Sequence, residues 1–315
     1  MKQLIKNAPF SIIAIAVLLL FALASPFLVD LSILGVLTKI LIFGLFAMSL
    51  DLLVGYTALW SFGHAALFGA AAYTTGILTT HFDITNFWIT LPASIVVTLL
   101  YSAVFGFISL RVSGIYFMLV TLALGEITYN IAFPFKKWTG GEDGIVNIPY
   151  PGFIDSNTGI YYFILVVCLA CFAFLHYFVR SPFGQILKGI REDETRMKCL
   201  GYNVWLHKYI AFIVAGLFAG VAGILYAHYI GVLIPRDVGV MASGMPWLMV
   251  IIGGAGTLWG ALIGSTIVLI LQFYISLVTP QRWPLIMGAI YILVVMVARQ
   301  GILVWIRDFI KKRKR

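Results

Sequence analysis

The feature that most limits the fold of this chain is a series of apolar runs, each long enough to cross a bilayer. A crossing helix needs about 20 consecutive apolar residues. The stretch 241–278 is too long for one helix, and Gly253, Gly254 and Gly256 divide it into a short piece and a full one. The sequence therefore predicts an all-α polytopic membrane protein of about ten transmembrane helices, one short or broken. The predicted spans are 8–29, 32–54, 61–80, 87–110, 114–133, 159–179, 208–231, 241–254, 258–278 and 284–305.

Composition excludes a soluble fold for a chain of this size. Of 315 residues, 62% are hydrophobic and 10% are charged, and the mean hydropathy is +1.02. Ordinary soluble domains have about 25% charged residues. We therefore expect residues 1–315 to form a single transmembrane domain. The basic, apolar N-terminus is interpreted as a retained first span, because its apolar run is longer than that of a signal peptide.

Cysteine content argues against a disulfide framework. The chain has three cysteines, and Cys168 and Cys171 lie in an apolar run, so we interpret them as small core side chains and expect no metal site.

The distribution of Lys and Arg predicts the orientation in the membrane. With the N-terminus inside and alternating spans, fifteen of the 21 basic residues fall in cytoplasmic segments and four in outer loops. This asymmetry is typical of the positive-inside rule. Both termini and the segment 180–208 are therefore predicted to be cytoplasmic, which requires an even number of spans. The net charge of +9 then reflects topology and anionic lipid, and nucleic acid is not an expected partner.

The charged segment 180–208 has the signals of two short helices. Ser181 can cap a helix that begins with Pro182, and a second helix starting near Glu192, Asp193 and Glu194 would stop at Gly201. One apolar stripe follows i, i+3, i+4, i+7 spacing in the first helix. The pattern suits either an interfacial helix resting on lipid or a docking surface for a cytoplasmic partner. The stripe consists of Phe183, Ile186, Leu187 and Ile190.

Two glycine-rich breaks, at 54–69 and 252–264, have a similar pattern in the two halves of the chain. Interrupted helices at matching places indicate a transport pathway, because unwound backbone at membrane depth needs protein or water beside it. Close helix packing through small residues is the alternative interpretation. The predicted topology puts both breaks near the cytoplasmic side, which favours a gate. The candidate pathway or gate residues in them are Gly55, Trp60, Ser61, Gly63, His64, Gly253, Gly254, Gly256 and Trp259.

Polar side chains inside predicted spans are candidates for function, because they are costly in lipid. Glu126 is a candidate pathway residue or a hydrogen-bonded structural group, and His64 is open to the same two interpretations. Asp51 is expected to reach water at the inner end of its span. Lys39 and Arg299 are expected to snorkel to the interfaces.

Four segments resemble permease subunits of branched-chain amino acid ABC importers, the binding-protein-dependent inner-membrane permeases, and most of all their LivM type. They are "DLLVGYTALWSFGHAALFGAAAY", "TGGEDGIVNIP", "RSPFGQILKGIREDETRMKCLGYNVWLHKYIAFIVAGLFAGVAGILYA" and "IGGAGTLWGALIG", in family order. The resemblance implies that the segment 180–208 couples to an ATPase. Thr195, Arg196 and Met197 stand where the general E-A-A-x-x-x-G coupling motif has E-A-A. The implied coupling residues are Ser181, Pro182, Phe183, Gly184, Ile186, Leu187, Ile190, Glu192, Asp193 and Gly201.

The resemblance also implies the partners: a second homologous permease, two cytoplasmic ATP-binding subunits and an extracytoplasmic substrate-binding protein. The outer loop 134–158 is a plausible rim for that binding protein. A bacterial inner-membrane location is implied, with ATP and magnesium bound by the partners and no cofactor on this chain. In agreement, the sequence contains no G-x-x-x-x-G-K-[ST] phosphate loop and no H-E-x-x-H or G-x-S-x-G motif, so we expect a transport subunit that is not itself an enzyme.

Two rival functions remain open at this point. The same type of machine could import urea or short amides, because nothing in the pathway residues decides the substrate. A stand-alone secondary transporter or channel is the other, and it would need coupling carboxylates near the midplane, where only Glu126 lies.

Overall fold

A computed structural model describes residues 22–154, 156–297 and 301. Residues 22–28 are helical, and twelve α-helices follow within the described ranges, with two short 3₁₀ turns, Gly141–Asp143 and Pro235–Asp237. The helices are α1 Leu31–Thr57, α2 His64–Thr80, α3 Phe87–Ser109, α4 Ile115–Ala132, α5 Lys136–Thr139, α6 Asn157–Arg180, α7 Pro182–Glu192, α8 Glu194–Cys199, α9 Val204–Ile230, α10 Val240–Gly253, α11 Leu258–Val278 and α12 Trp283–Val297.

Six of these helices are long and apolar enough to cross a membrane: α1, α3, α4, α6, α9 and α11. Helix α10 and the first part of α12 are shorter apolar helices. The eight spans predicted between 32 and 278 each coincide with a helix, with α2 over 61–80. Most of the first predicted span, 8–29, and the end of the last, 284–305, lie outside the described residues. The architecture is an all-α polytopic membrane fold, and the count of ten crossings stays a prediction.

Helices α1 and α9 form the centre of the bundle. Half of the apolar window of α1 and two-thirds of that of α9 are buried inside the protein, more than in the other four long helices. Small residues allow this packing: a Cβ at Gly223 of α9 would lie 2.1 Å from the carbonyl oxygen of Phe68 in α2. Gly220 in turn faces Thr98 of α3. Backbones can approach this closely only where side chains are absent, so α9 holds α2 and α3 together.

A two-residue antiparallel ladder marks one end of the bundle. Strand β1, Ile145–Val146, pairs with β2, Val232–Leu233, with Ile145 opposite Leu233 and Val146 opposite Val232. The ladder joins the loop after α5 to the loop after α9. Predicted alternation places both loops on the outer side, and the pairing agrees that they share one end. We call it the outer end.

Candidate functional site

The segment between α6 and α9 folds as two short helices, as the sequence predicts. Ser181 caps α7 by accepting a hydrogen bond from the Gly184 N–H, and Pro182 occupies the first helical position. Asp193 caps α8 through the Arg196 N–H at 2.9 Å. One detail differs from the sequence prediction. Glu192 is the last residue of α7 and does not begin the second helix, because the Asp193 side chain provides the cap.

The apolar stripe of α7 packs against the protein itself. Leu187 and Ile190 are buried, and Phe183 and Ile186 are half-buried against the same core. Gly184 lies against the end of α6, where a Cβ would come within 2.5 Å of the Val179 carbonyl group. The helix is therefore fixed on the bundle by its apolar face.

Charged and polar side chains cover the opposite side of this helical pair. The exposed residues include Glu192, Thr195, Arg196, Lys198 and Cys199. Gly201, where the second helix was predicted to stop, follows α8 with φ +86°, a conformation that favours glycine. This exposed face is available to a partner.

Arg191 connects α7 to both glycine-rich breaks. Its guanidinium Nη1 donates a short hydrogen bond to the carbonyl oxygen of Gly55, near the end of α1. The same nitrogen would lie 2.7 Å from a Cβ added to Gly256. The two breaks contact each other here, because a Cβ at Gly55 would lie only 2.2 Å from the Gly256 nitrogen. We call Asp51, Gly55, Arg191 and Gly256 the inner junction.

Asp51 is the fourth member of the inner junction and contacts the second break. Its Oδ1 accepts a hydrogen bond of 2.7 Å from the Gly256 N–H. The expectation that Asp51 reaches water is wrong: its side chain is fully buried, with 0% exposure. The reason is that the second break covers the inner end of α1, and its unwound backbone supplies a donor to the carboxylate.

A polar cavity of about 490 Å³ lies beside the inner junction. Glu194 lines it and pairs with Lys208 at 2.6 Å and with Lys198 at 3.1 Å. Burial alone raises the pKa of Glu194, but the hydrogen bonds and charges of the two lysines outweigh it and hold the pKa below its usual range. The cavity is also lined by residues 57–59 and 110–114, so these loops and the α7–α8 pair share the inner end.

The first break is held by side chains of α4 and α10. The Trp247 indole N–H donates to the Ser61 carbonyl at 2.8 Å, and the Phe62 N–H donates to Thr121 Oγ1 at 3.1 Å. Trp247 also stacks on both Trp60 and Phe62, with ring centroids 5.3 Å and 4.9 Å apart. Trp60 keeps 44% of its surface exposed. Unwound backbone inside a membrane protein needs such partners, so α10 fixes the path of this break.

Gly63 and His64, also in the first break, are interior residues. A Cβ at Gly63 would lie 2.0 Å from the Thr121 carbonyl oxygen. The His64 ring is fully buried, stacks on Phe46 and shares a hydrogen bond of 2.9 Å with Ser49. The other ring nitrogen, Nδ1, is buried and has no hydrogen-bond partner among the described residues.

The second break has tight backbone contacts of its own. A Cβ at Gly253 would lie 1.8 Å from the Gly260 carbonyl oxygen, and Gly254 has φ +108°. Trp259 packs edge-on against Phe172 of α6 at 4.6 Å. Trp60 and Trp259 therefore pack on different helices, α10 and α6.

Glu126 lies apart from the inner junction. It is half-buried on α4 beside Gly125, which packs against Gly63. Within the described ranges its carboxylate accepts no hydrogen bond, while its carbonyl accepts one from the Asn130 side chain. Across those ranges no three His, Cys, Asp or Glu residues cluster as metal ligands.

Comparison with known proteins identifies the family. Residues 32–297 match the model of the branched-chain amino acid transport system permease component. The chain belongs to this family. It is 28% identical to the high-affinity branched-chain amino acid transport system permease protein LivM of Escherichia coli (strain K12), over 93% of this chain and 75% of that protein.

More distant permeases match part of the chain. The high-affinity branched-chain amino acid permease protein LivH of the same E. coli strain is 27% identical over 58% of each chain. The guanosine ABC transporter permease protein NupQ of Bacillus subtilis (strain 168) is 31% identical over 39% of this chain and 38% of its own. No solved structure matches the chain significantly.

Within this permease, sequence reasoning missed Arg191, Asp51 and Trp247 as site residues. Arg191 is one of several charges in a basic segment, and nothing in the sequence separates it from its neighbours. Asp51 carried no local signal, because the N–H group that meets its carboxylate belongs to the second break, 205 residues further along the chain.

Proposed function

We propose that this chain is one of two permease subunits of an ABC importer, and that it forms part of the translocation pathway for branched-chain amino acids. Family membership supports the transport role. The observation that carries the coupling mechanism is the hydrogen bond from Arg191 of α7 to Gly55, at the point where both glycine-rich breaks meet.

In the proposed mechanism, ATPase subunits dock on the exposed face of α7 and α8. Helix α7 is tied to the bundle by its apolar stripe, so a push on it displaces the inner ends of α1 and α6 as well. Arg191 transmits that displacement to Gly55 and Gly256 together, because its one side chain contacts both breaks. Binding energy from a docked partner can thus shift two gate segments at once.

The partners and location follow from the same proposal. We infer a second homologous permease, two cytoplasmic ATP-binding subunits and an extracytoplasmic binding protein that meets the outer end. The chain would be a ten-span protein of a bacterial inner membrane, with both termini and the inner junction on the cytoplasmic side. ATP and magnesium are bound by the ATPase subunits, so this chain needs no cofactor.

Branched-chain amino acids are the proposed substrate because the relatives LivM and LivH carry that name and LivM matches most of the chain. NupQ, named for guanosine, matches less than half. A stand-alone carrier would leave the exposed α7–α8 face without a role.

Purification in mild detergent followed by reconstitution tests the proposal. We expect ATP-binding subunits and a second permease to co-purify, and vesicles holding the complex, its binding protein and internal ATP to accumulate leucine. Uptake of guanosine or urea in place of leucine would contradict the substrate. Purification of this chain alone, with uptake independent of ATP, would contradict the ABC importer.

A further inference from the structure

The polar cavity of about 490 Å³ beside the inner junction has an excess of positive charge. One carboxylate and four cationic side chains line it, which leaves a surplus of three positive charges among the described residues. The carboxylate, Glu194, already pairs with both lysines of the cavity, so its negative charge does not serve the two arginines. The four cationic side chains are Arg111, Arg191, Lys198 and Lys208.

Arg111 carries a charge that no carboxylate balances in the part of the chain that the structure describes. Every ion pair within residues 22–154 and 156–297 involves Asp193 or Glu194, and none of these pairs includes Arg111. The Arg111 guanidinium lies over the Phe107 ring, 4.9 Å from its centroid. A ring beneath the guanidinium leaves the N–H groups in its plane free to donate to an anion.

Arg191 adds further N–H donors to the same cavity. Its Nη1 donates to the Gly55 carbonyl, and this is its one hydrogen bond to the described residues. A guanidinium has five N–H donors in a fixed fork, so most of those on Arg191 are available to an anion. An anion bound there would lie beside the inner junction.

The surface next to the cavity has the character of a membrane interface. Trp205 lines the cavity and is 39% exposed. Its ring meets Phe107 edge-on at 6.1 Å and stacks on Tyr209 at 5.0 Å. Phe107 and Ile108 of α3 are exposed as well. Tryptophan and tyrosine are enriched where hydrocarbon meets the head groups, so the cavity lies where the apolar surface of α3 and α9 reaches the inner end of the bundle.

We propose that this cavity binds the head group of an anionic phospholipid, with the phosphodiester held by Arg111 and Arg191 and the acyl chains against Phe107 and Trp205. Basic pockets between transmembrane helices on the cytoplasmic side bind such head groups, and a guanidinium fork matches two phosphate oxygens. The cavity volume lies within the range of about 300–1,000 Å³ for small-molecule sites. Free phosphate has the same anionic group but no acyl chain to cover the exposed aromatic surface, which favours a lipid.

Retention of lipid by the purified permease, with the subunits that co-purify, tests the assignment. After delipidation in detergent, the protein is titrated with dioleoyl-phosphatidylglycerol or dioleoyl-phosphatidylcholine, and native mass spectrometry counts the bound lipid. The wild type should retain the anionic lipid in preference. Arg111→Gln should weaken that retention about fivefold, the effect of one basic residue near a lipid surface, and Arg111→Lys should keep most of it. Arg196→Gln is the matched control, because this 73% exposed arginine of α8 does not line the cavity.

Thermal unfolding in detergent gives a second readout. A ligand that binds the folded state raises the unfolding midpoint by mass action. Phosphatidylglycerol should raise the wild-type midpoint more than phosphatidylcholine does. That difference should shrink in Arg111→Gln and persist in Arg196→Gln. Because Arg111 is exposed, Arg111→Gln should unfold near the wild-type midpoint when no lipid is added, so a lost lipid effect would not come from misfolding.

Radiolabelled inorganic phosphate separates a lipid site from a site for a free anion. At the concentration used for the lipid, phosphate should bind no better to the wild type than to Arg111→Gln. If phosphate bound the wild type, was lost in Arg111→Gln and displaced phosphatidylglycerol, the site would take a free anion and the lipid would be refuted.

Three other outcomes would overturn the site itself. They are equal retention of the two lipids by the wild type, unchanged phosphatidylglycerol retention in Arg111→Gln, and a loss of the same size in Arg196→Gln, which would indicate diffuse attraction to a basic surface. Each measurement is independent of leucine uptake, so the result is separate from that for the proposed substrate.

Discussion

The carboxylate of Asp51 accepts a hydrogen bond of 2.7 Å from the backbone N–H of Gly256, 205 residues further along the chain. Asp51 lies in α1 and Gly256 in the break between α10 and α11. Asp51 Oδ1 and the Gly256 N–H thus satisfy each other, whereas Oδ2 of the same carboxylate is buried without a hydrogen-bond partner among the described residues. Removing either one leaves the other without a partner in the interior, which is the costly case.

Arg191→Met should uncouple hydrolysis from transport. The substitution keeps a long apolar side chain but removes the hydrogen bond to the Gly55 carbonyl, a loss of about 1.5–3 kcal/mol for a charged donor. We expect the complex to assemble and hydrolyse ATP while leucine uptake per ATP falls several-fold. Arg196→Met is the control, because the Arg196 side chain is 73% exposed. Equal uptake per ATP in the two variants would mean that Arg191 transmits nothing.

Gly55→Ala should destabilise the permease. The new methyl group would overlap the Gly256 backbone and Asp51 Oδ1, which lie 2.2 Å and 2.4 Å away. Overpacking of this kind typically costs about 1–3 kcal/mol. Thermal unfolding in detergent should show a lower midpoint for Gly55→Ala and an unchanged one for Gly152→Ala, whose Cβ would have no neighbour within 4 Å. If neither variant lowered the midpoint, Gly55 and Gly256 would have to lie further apart than the structure places them.

Trp60→Ala should affect the coupling of hydrolysis to uptake more than Trp259→Ala. Trp60 is part of the stack that fixes the first break on α10, whereas Trp259 packs on α6. Such stacked pairs contribute about 0.5–1.5 kcal/mol beyond their buried area. The measurements are substrate-independent ATP hydrolysis and leak of preloaded leucine. The Trp60→Phe variant keeps an aromatic ring in the stack, so both quantities should stay close to their wild-type values. A larger defect in Trp259→Ala would shift the gate to the second break.

Glu194→Gln should slightly reduce the free energy of unfolding at neutral pH and have no effect at low pH, where Glu194 is protonated. The pKa of Glu194 is lowered in the folded protein, so its ion pairs with Lys208 and Lys198 add stability above the unfolded pKa. That contribution is lost as the pH falls through the folded value. Because the Glu194 side chain is 38% exposed, we expect at most about 1 kcal/mol. Unfolding midpoints of wild type and variant should differ at pH 7 and converge at low pH.

Native Cys199 reports the orientation of the inner end. It is exposed on α8, whereas Cys168 is buried. A membrane-impermeant maleimide should not label it in intact cells, and permeabilised cells should give strong labelling that Cys199→Ser abolishes. Efficient labelling from outside would reverse the predicted topology.

The sequence predicted the helices well and the contacts between them poorly. Apolar run length, the Ser181 cap and the glycine breaks are local signals, and helices lie where they indicate. The meeting of Gly55 with Gly256 and the reach of Arg191 depend on how distant helices pack. No local pattern contains that information. Asp51 shows the same limit, because its exposure is decided by a loop two hundred residues away.

The ladder between β1 and β2 holds the loops at the outer end in register without relying on its exposed side chains. Its hydrogen bonds come from main-chain groups, and Val146 and Val232 are exposed on it while Ile145 and Leu233 are buried. Substitution of the two exposed valines would alter the surface offered to an external protein without changing the register beneath. In the proposed importer, such substitutions would adapt this rim to a different binding protein and leave the buried residues beneath the ladder unchanged.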